Sequence, residues 1–174
     1  AGSAGQTTTL GVRTSRLGSE IRLGGQPASG FAQMAAILPA QVIDPEVHRL
    51  VEDGPTQRRR YLDWGVFHVE HQYLQVWKDF RVALAQRNAA LRNNQPDKLC
   101  CLWDQPLVEA ARQMEKMRTD YLQQLIQSLE SIQPLLFPGA KLSLDYRPGW
   151  QAENDYQDYL HQYLQKDKEK GFTQ

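Results

Sequence analysis

Two stretches of this 174-residue chain place apolar residues every three or four positions, and that rhythm constrains its fold more than any other feature. The first runs from His71 to Asn93, with Tyr73, Trp77, Phe80, Leu84 and Leu91 at steps of four, three, four and seven. Asn88 stands near the site left vacant by the long step. The second runs from Leu107 to Ile132 through Ala111, Met114, Tyr121, Leu125 and Leu129. Such spacing gathers side chains on one face of a helix. Asn94-Gln95-Pro96-Asp97 breaks the first stretch, and Pro134, Pro138 and Gly139 close the second. Two long helices with a connector predict an antiparallel helical hairpin. The alternative is a compact helical subdomain whose stripes face one shared core.

The N-terminal part follows a different grammar. Thr7 to Arg13 is rich in β-branched residues, and Ser19 to Leu23 alternates polar and apolar. With the turn signal Arg16-Leu17-Gly18 between them, they predict a hairpin. Phe31 to Leu38 predicts a short apolar helix stopped by Pro39. Gln41-Val42-Ile43 predicts a buried strand. After the helical stretches, Lys141 to Tyr146 predicts a strand and Asn154 to Lys170 a helix. Phe172-Thr173 resembles the start of another strand. The fold class expected is α+β and mainly helical.

Composition narrows the function classes. Lys plus Arg and Asp plus Glu both number 20, so the whole-chain charge steers toward neither nucleic acid nor membrane. No apolar run approaches the roughly 18 residues of a membrane span, so no membrane partner is expected. Cys100 and Cys101 are neighbours, a poor geometry for a mutual disulfide. They are expected to be reduced, packed thiols of a cytoplasmic protein.

Catalytic signals are weak. Gly24-Gly25-Gln26-Pro27-Ala28-Ser29-Gly30 is Gly-rich but lacks the lysine of a phosphate-cradling loop, so a plain turn is expected. His68 and His71 could share a helix face and a metal, yet no third ligand stands out, so none is assigned. No catalytic residue is assigned either. The local signal is basic. Between Arg58 and Arg92 lie seven Lys/Arg against Asp63, Glu70 and Asp79. Arg58, Arg59, Arg60, Lys78, Arg81, Arg87 and Arg92 are therefore the candidates for DNA or partner contact, since guanidinium forks suit phosphate oxygens. Arg59 and Arg60 point about 100° apart on a helix, so one of them is expected to pair with an acid such as Asp63.

Two blocks carry a family resemblance. Pro45-Glu46, Leu50-Val51, Asp53-Gly54-Pro55, Arg58-Arg59-Arg60-Tyr61-Leu62-Asp63 and Trp64-Gly65 form one, and Gln86-Arg87-Asn88-Ala89-Ala90-Leu91 the other. The chain resembles RecF, the bacterial DNA replication and repair ATPase, over nearly its whole length. Asp53 departs from the glycine usual there. The resemblance implies an ABC-type head related to SMC heads, with a short helical arm. It also implies ATP and Mg as cofactors of the full-length family, ATP-driven homodimers on gapped or double-stranded DNA, RecO and RecR partners, and a place in the SOS response. Walker A, signature and Walker B motifs are absent from these residues, so no ATPase activity is expected of them alone. The expected division is a partial ATPase head over 1–44, a helical arm over 45–138, and a return strand and helix over 139–174.

Overall fold

The computed structural model describes residues 8–16, 18–28, 30–38, 49–139, 143–149 and 155–174. They fall into two compact units, 1–59 and 60–174.

In the first unit, β1 (Leu10–Ser15) and β2 (Gly18–Leu23) pair antiparallel with Val12 opposite Ile21 and Arg13 opposite Glu20. The predicted hairpin is present. A third strand, β3 (Gln26–Pro27), joins β2 through Gly24-Gly25. Both glycines have positive φ, +55° and +81°, the backbone that a two-residue hairpin turn demands. Helix α1 (Phe31–Ile37) follows, as its apolar run predicts. Helix α2 spans Arg49–Glu52. The strand expected at Gln41-Val42-Ile43 lies outside the described residues, as does Lys141-Leu142.

The helical unit begins within α3 (Pro55–Val69), where Pro55 takes the first helical position. Helix α4 (Tyr73–Arg92) carries the first apolar stripe. Asn94, at φ +49°, turns the chain toward α5 (Asp97–Cys100) and a 3₁₀ turn at Cys101–Trp103. Helix α6 (Asp104–Leu136) carries the second stripe over 33 residues. Helix α7 (Tyr156–Lys170) starts at Asp155, whose carboxylate accepts from the Gln157 amide. It ends at Gly171 in the left-handed conformation, φ +74°.

Residue pairs fix the directions. Val66 and Tyr73 pack with Met114, Ala83 packs with Leu107, and Leu91 packs with Cys100. As α4 advances its partners retreat along the chain, so α4 and α6 are antiparallel. Tyr156 and Leu160 join Leu107, Val108 and Ala111, while Leu164 joins Leu91. The stripes therefore face a core shared with α3 and α7, which is the compact alternative rather than a bare hairpin. Gly65 lets α3 approach α6: a Cβ there would lie 2.5 Å from Tyr121 Cζ.

Three expectations are corrected. Pro134 does not close α6, which continues to Leu136. A proline this near the end removes only one helical bond, the one to the Glu130 carbonyl. Residues 143–148 form no strand; alternation alone does not supply a pairing partner. Thr173 begins no strand, because its amide and hydroxyl both donate to Asn88 Oδ1 at 2.8 Å.

Candidate functional site

Both stripes leave one step open, and an arginine fills each gap. Arg87 stands seven residues after Phe80 and three after Leu84, on the core side of α4. It is fully buried. Its Nε donates to Asp104 Oδ1 and its Nη1 to Asp167 Oδ2, both at 2.7 Å. Nη1 also reaches Thr173 Oγ1 at 2.7 Å, and Nη2 the Leu160 carbonyl at 3.3 Å. Burial alone would lower the pKa of this guanidinium. The hydrogen bonds to Asp167 and Asp104 outweigh it, so the pKa lies above the ordinary value. One cation thus ties α4 to the start of α6 and to the end of α7.

Arg118 fills the gap between Met114 and Tyr121 on α6. It donates through Nε and Nη2 to Asp63 Oδ1, at 2.9 and 2.6 Å. The Tyr73 hydroxyl donates to the same oxygen at 2.5 Å. Burial first, then the hydrogen bond to Asp63, pushes the Tyr73 phenol well above its usual range against the pull of Arg118. Asp63 is thus taken by Arg118, not by the triple-arginine run expected to supply its partner.

The remaining basic candidates face water. Arg58, Arg59 and Arg60 are exposed. Arg58 Nη1 donates to the Asp53 carbonyl at 2.8 Å, and Arg59 Nε to the Pro55 carbonyl at 3.3 Å. On α4, Lys78, Arg81 and Arg92 are exposed. At about 100° per residue they lie within about 60° of one another, whereas Arg87 lies about 180° from Lys78. Arg81 covers the Trp77 ring at 5.2 Å. Arg87 is therefore corrected as a contact candidate: its donors are spent inside the protein. The open seven-residue step was the signal for this, with Arg87, not Asn88, standing on the stripe.

The other chemical candidates are placed as follows. His68 packs edge-on against Trp64 and Phe67, with centroids 4.5 and 5.1 Å away. Cys100 and Cys101 are free thiols. Burial, then the nearby Asp104 carboxylate, raises Cys101 to about 11. The Gly24-Gly25 turn has no lysine and is filled by its own hairpin, so it does not fit a triphosphate. Among the described residues no helix is long and apolar enough to cross a membrane.

The comparison with known proteins decides the relationship. The chain is 39% identical over 170 residues to the DNA replication and repair protein RecF of Thioalkalivibrio sulfidiphilus, covering 98% of this chain and 47% of that protein. It is 38% identical over 165 residues to the RecF of Vibrio cholerae, covering 94% and 46%. The chain is homologous to RecF. It spans about half the length of the curated RecF relatives it matches. A solved structure of the recombination mediator protein RecF-ATPrS in the RecFOR pathway superposes with a TM-score of 0.78 over 96% of this chain and 48% of that one, at 19% identity. The RecF-ATP structure of the same pathway gives 0.73 over 90%. These likenesses show the fold, that of a RecF head with its helical part. No protein-family model matches the chain.

Proposed function

We propose that this chain is the central part of a DNA-repair ATPase of the RecF kind, and that its helical part meets DNA or a mediator protein. Residues 1–44 would belong to the ATPase head, 45–138 to the arm, and 139–174 to the return toward the head. The observation that carries the reading is the solvent-facing stripe Lys78, Arg81 and Arg92 on α4, opposite the buried Arg87. Arg58, Arg59 and Arg60 add exposed guanidiniums on α3. Cations spaced along one rigid helix suit phosphates of a duplex or gap, and no base-reading group is required.

The full-length protein would bind ATP with Mg, close as a homodimer on gapped or double-stranded DNA, and act with RecO and RecR in the cytoplasm, including in the SOS response. These 174 residues contain no Walker A pattern, so we assign them no catalytic residue. ATP turnover by the purified chain would overturn that assignment.

The experiment is binding of the chain to gapped duplex DNA at two salt concentrations. Affinity should fall steeply with salt. Replacing Lys78, Arg81 and Arg92 by Ala should lower the log–log slope by about 0.9 for each phosphate that is no longer neutralised. Equal binding by the triple variant would remove this stripe from the interface.

A second reading is favoured by the end of α6, where Ile132, Leu135, Leu136 and Phe137 are exposed. In it the chain is a helical interaction module that self-associates or takes a partner helix. A salt-insensitive dimer that ignores DNA would decide for it.

A further inference from the structure

Cys101, Asp104 and His161 come from the 3₁₀ turn, the first residue of α6 and the middle of α7. A ligand atom from each lies within 4.8 Å of the other two. We propose that this trio is a binding site for a borderline divalent transition cation of the Zn²⁺ class, held by Cys101 Sγ, Asp104 Oδ2 and His161 Nε2.

The argument starts at Asp104. Its side chain is 2% exposed, and its Oδ1 is committed to Arg87 at 2.7 Å. Its Oδ2 is buried without a hydrogen-bond donor. A buried carboxylate oxygen left unmatched is costly, and this one points toward the other two members. His161 Nε2 stands 3.5 Å away, on a side chain that is 53% exposed. Arg87 locks the carboxylate from behind, as an outer hydrogen bond orients a metal ligand.

Geometry and charge agree. Tetrahedral Zn²⁺, with bonds of about 2.0–2.3 Å, spaces its ligand atoms by roughly 3.3–3.7 Å. The Asp104–His161 pair already meets this, and Cys101 and His161, neither fully buried, can rotate to close the rest. Thiolate, imidazole and carboxylate together suit a borderline cation better than Mg²⁺ or Ca²⁺, which prefer oxygen. The centre holds Arg87 against Asp104 and Asp167, one negative charge in excess. A dication with one new thiolate adds one positive charge and balances it. Binding forms the Sγ–metal bond and releases the thiol proton to solvent. The exposed His161 side leaves a path for entry and a fourth position for water.

The test is titration of the chain with Co²⁺ after chelator removal. One equivalent should give thiolate-to-cobalt charge-transfer absorption and strong tetrahedral visible bands, displaced by Zn²⁺. Cys101→Ser should abolish the charge-transfer band. His161→Gln, at an exposed side chain that the fold does not need, should weaken Co²⁺ binding at least about tenfold. Cys100→Ser should retain both. Circular dichroism checks that each variant is folded, and His161→Gln decides if Cys101→Ser is not. No charge-transfer band, a band that survives Cys101→Ser, unchanged affinity in His161→Gln, or a band abolished by Cys100→Ser would overturn the site.

Discussion

The Nε of Arg87 donates to Oδ1 of Asp104 across 2.7 Å, and both side chains are buried. Asp167 holds the same guanidinium from α7 at 2.7 Å. Charge inside a protein persists only when paired and hydrogen-bonded. Three helices therefore depend on this arginine for their relative placement.

Replacing Arg87 by Met keeps much of the volume but strands two buried carboxylates. Stability should fall by about 3–5 kcal/mol. Urea unfolding followed by circular dichroism measures it. A loss below about 1 kcal/mol would mean that the ion pairs do not hold the unit together.

Gly65→Ala pits helix propensity against space. Alanine gains about 1 kcal/mol in a helix, yet its Cβ would stand 2.5 Å from Tyr121 Cζ and 2.9 Å from Cε1. Overpacking should win, with a net loss of about 1–3 kcal/mol. In a Tyr121→Ala background the substitution should become neutral or stabilising. A double-mutant cycle without such coupling would contradict the close approach of α3 and α6.

Alkaline stability should carry a Cys101 component. Its folded thiol is raised to about 11 from an unfolded value near 9. The folded state holds the proton more tightly, so the contribution is complete below about pH 9 and disappears toward about pH 11. Urea melts across this range, with chelator present, should show stability falling as pH rises. Cys101→Ala should flatten that fall; an unchanged slope would place the titration elsewhere.

Leu107 and Leu135 lie on the same helix with opposite fates. Leu107 is fully buried, whereas Leu135 is 82% exposed. Leu107→Ala should cost about 2–5 kcal/mol, and Leu135→Ser less than about 0.5 kcal/mol. Thermal unfolding of the two variants side by side checks the ranking. A large loss in Leu135→Ser would mean that the end of α6 is packed.

Local chemistry alone determined much of this protein. The period of the stripes specifies α4 and α6, because a helix returns a side chain to the same face every three to four residues. The hairpin of β1 and β2 and the helix α1 follow from equally short-range signals. The paired blocks also carry the likeness to RecF. Tertiary structure decided the rest. Arg58, Arg59, Arg60 and Arg87 are one residue type in one basic stretch, yet only Arg87 is buried. Its fate depends on Asp104 and Asp167, 17 and 80 residues away, and such pairings exist only once the helices have packed. The alternation at Leu142 to Tyr146 met the converse limit: residues 143–148 stay outside any sheet, since a strand needs a neighbour that sequence alternation cannot supply.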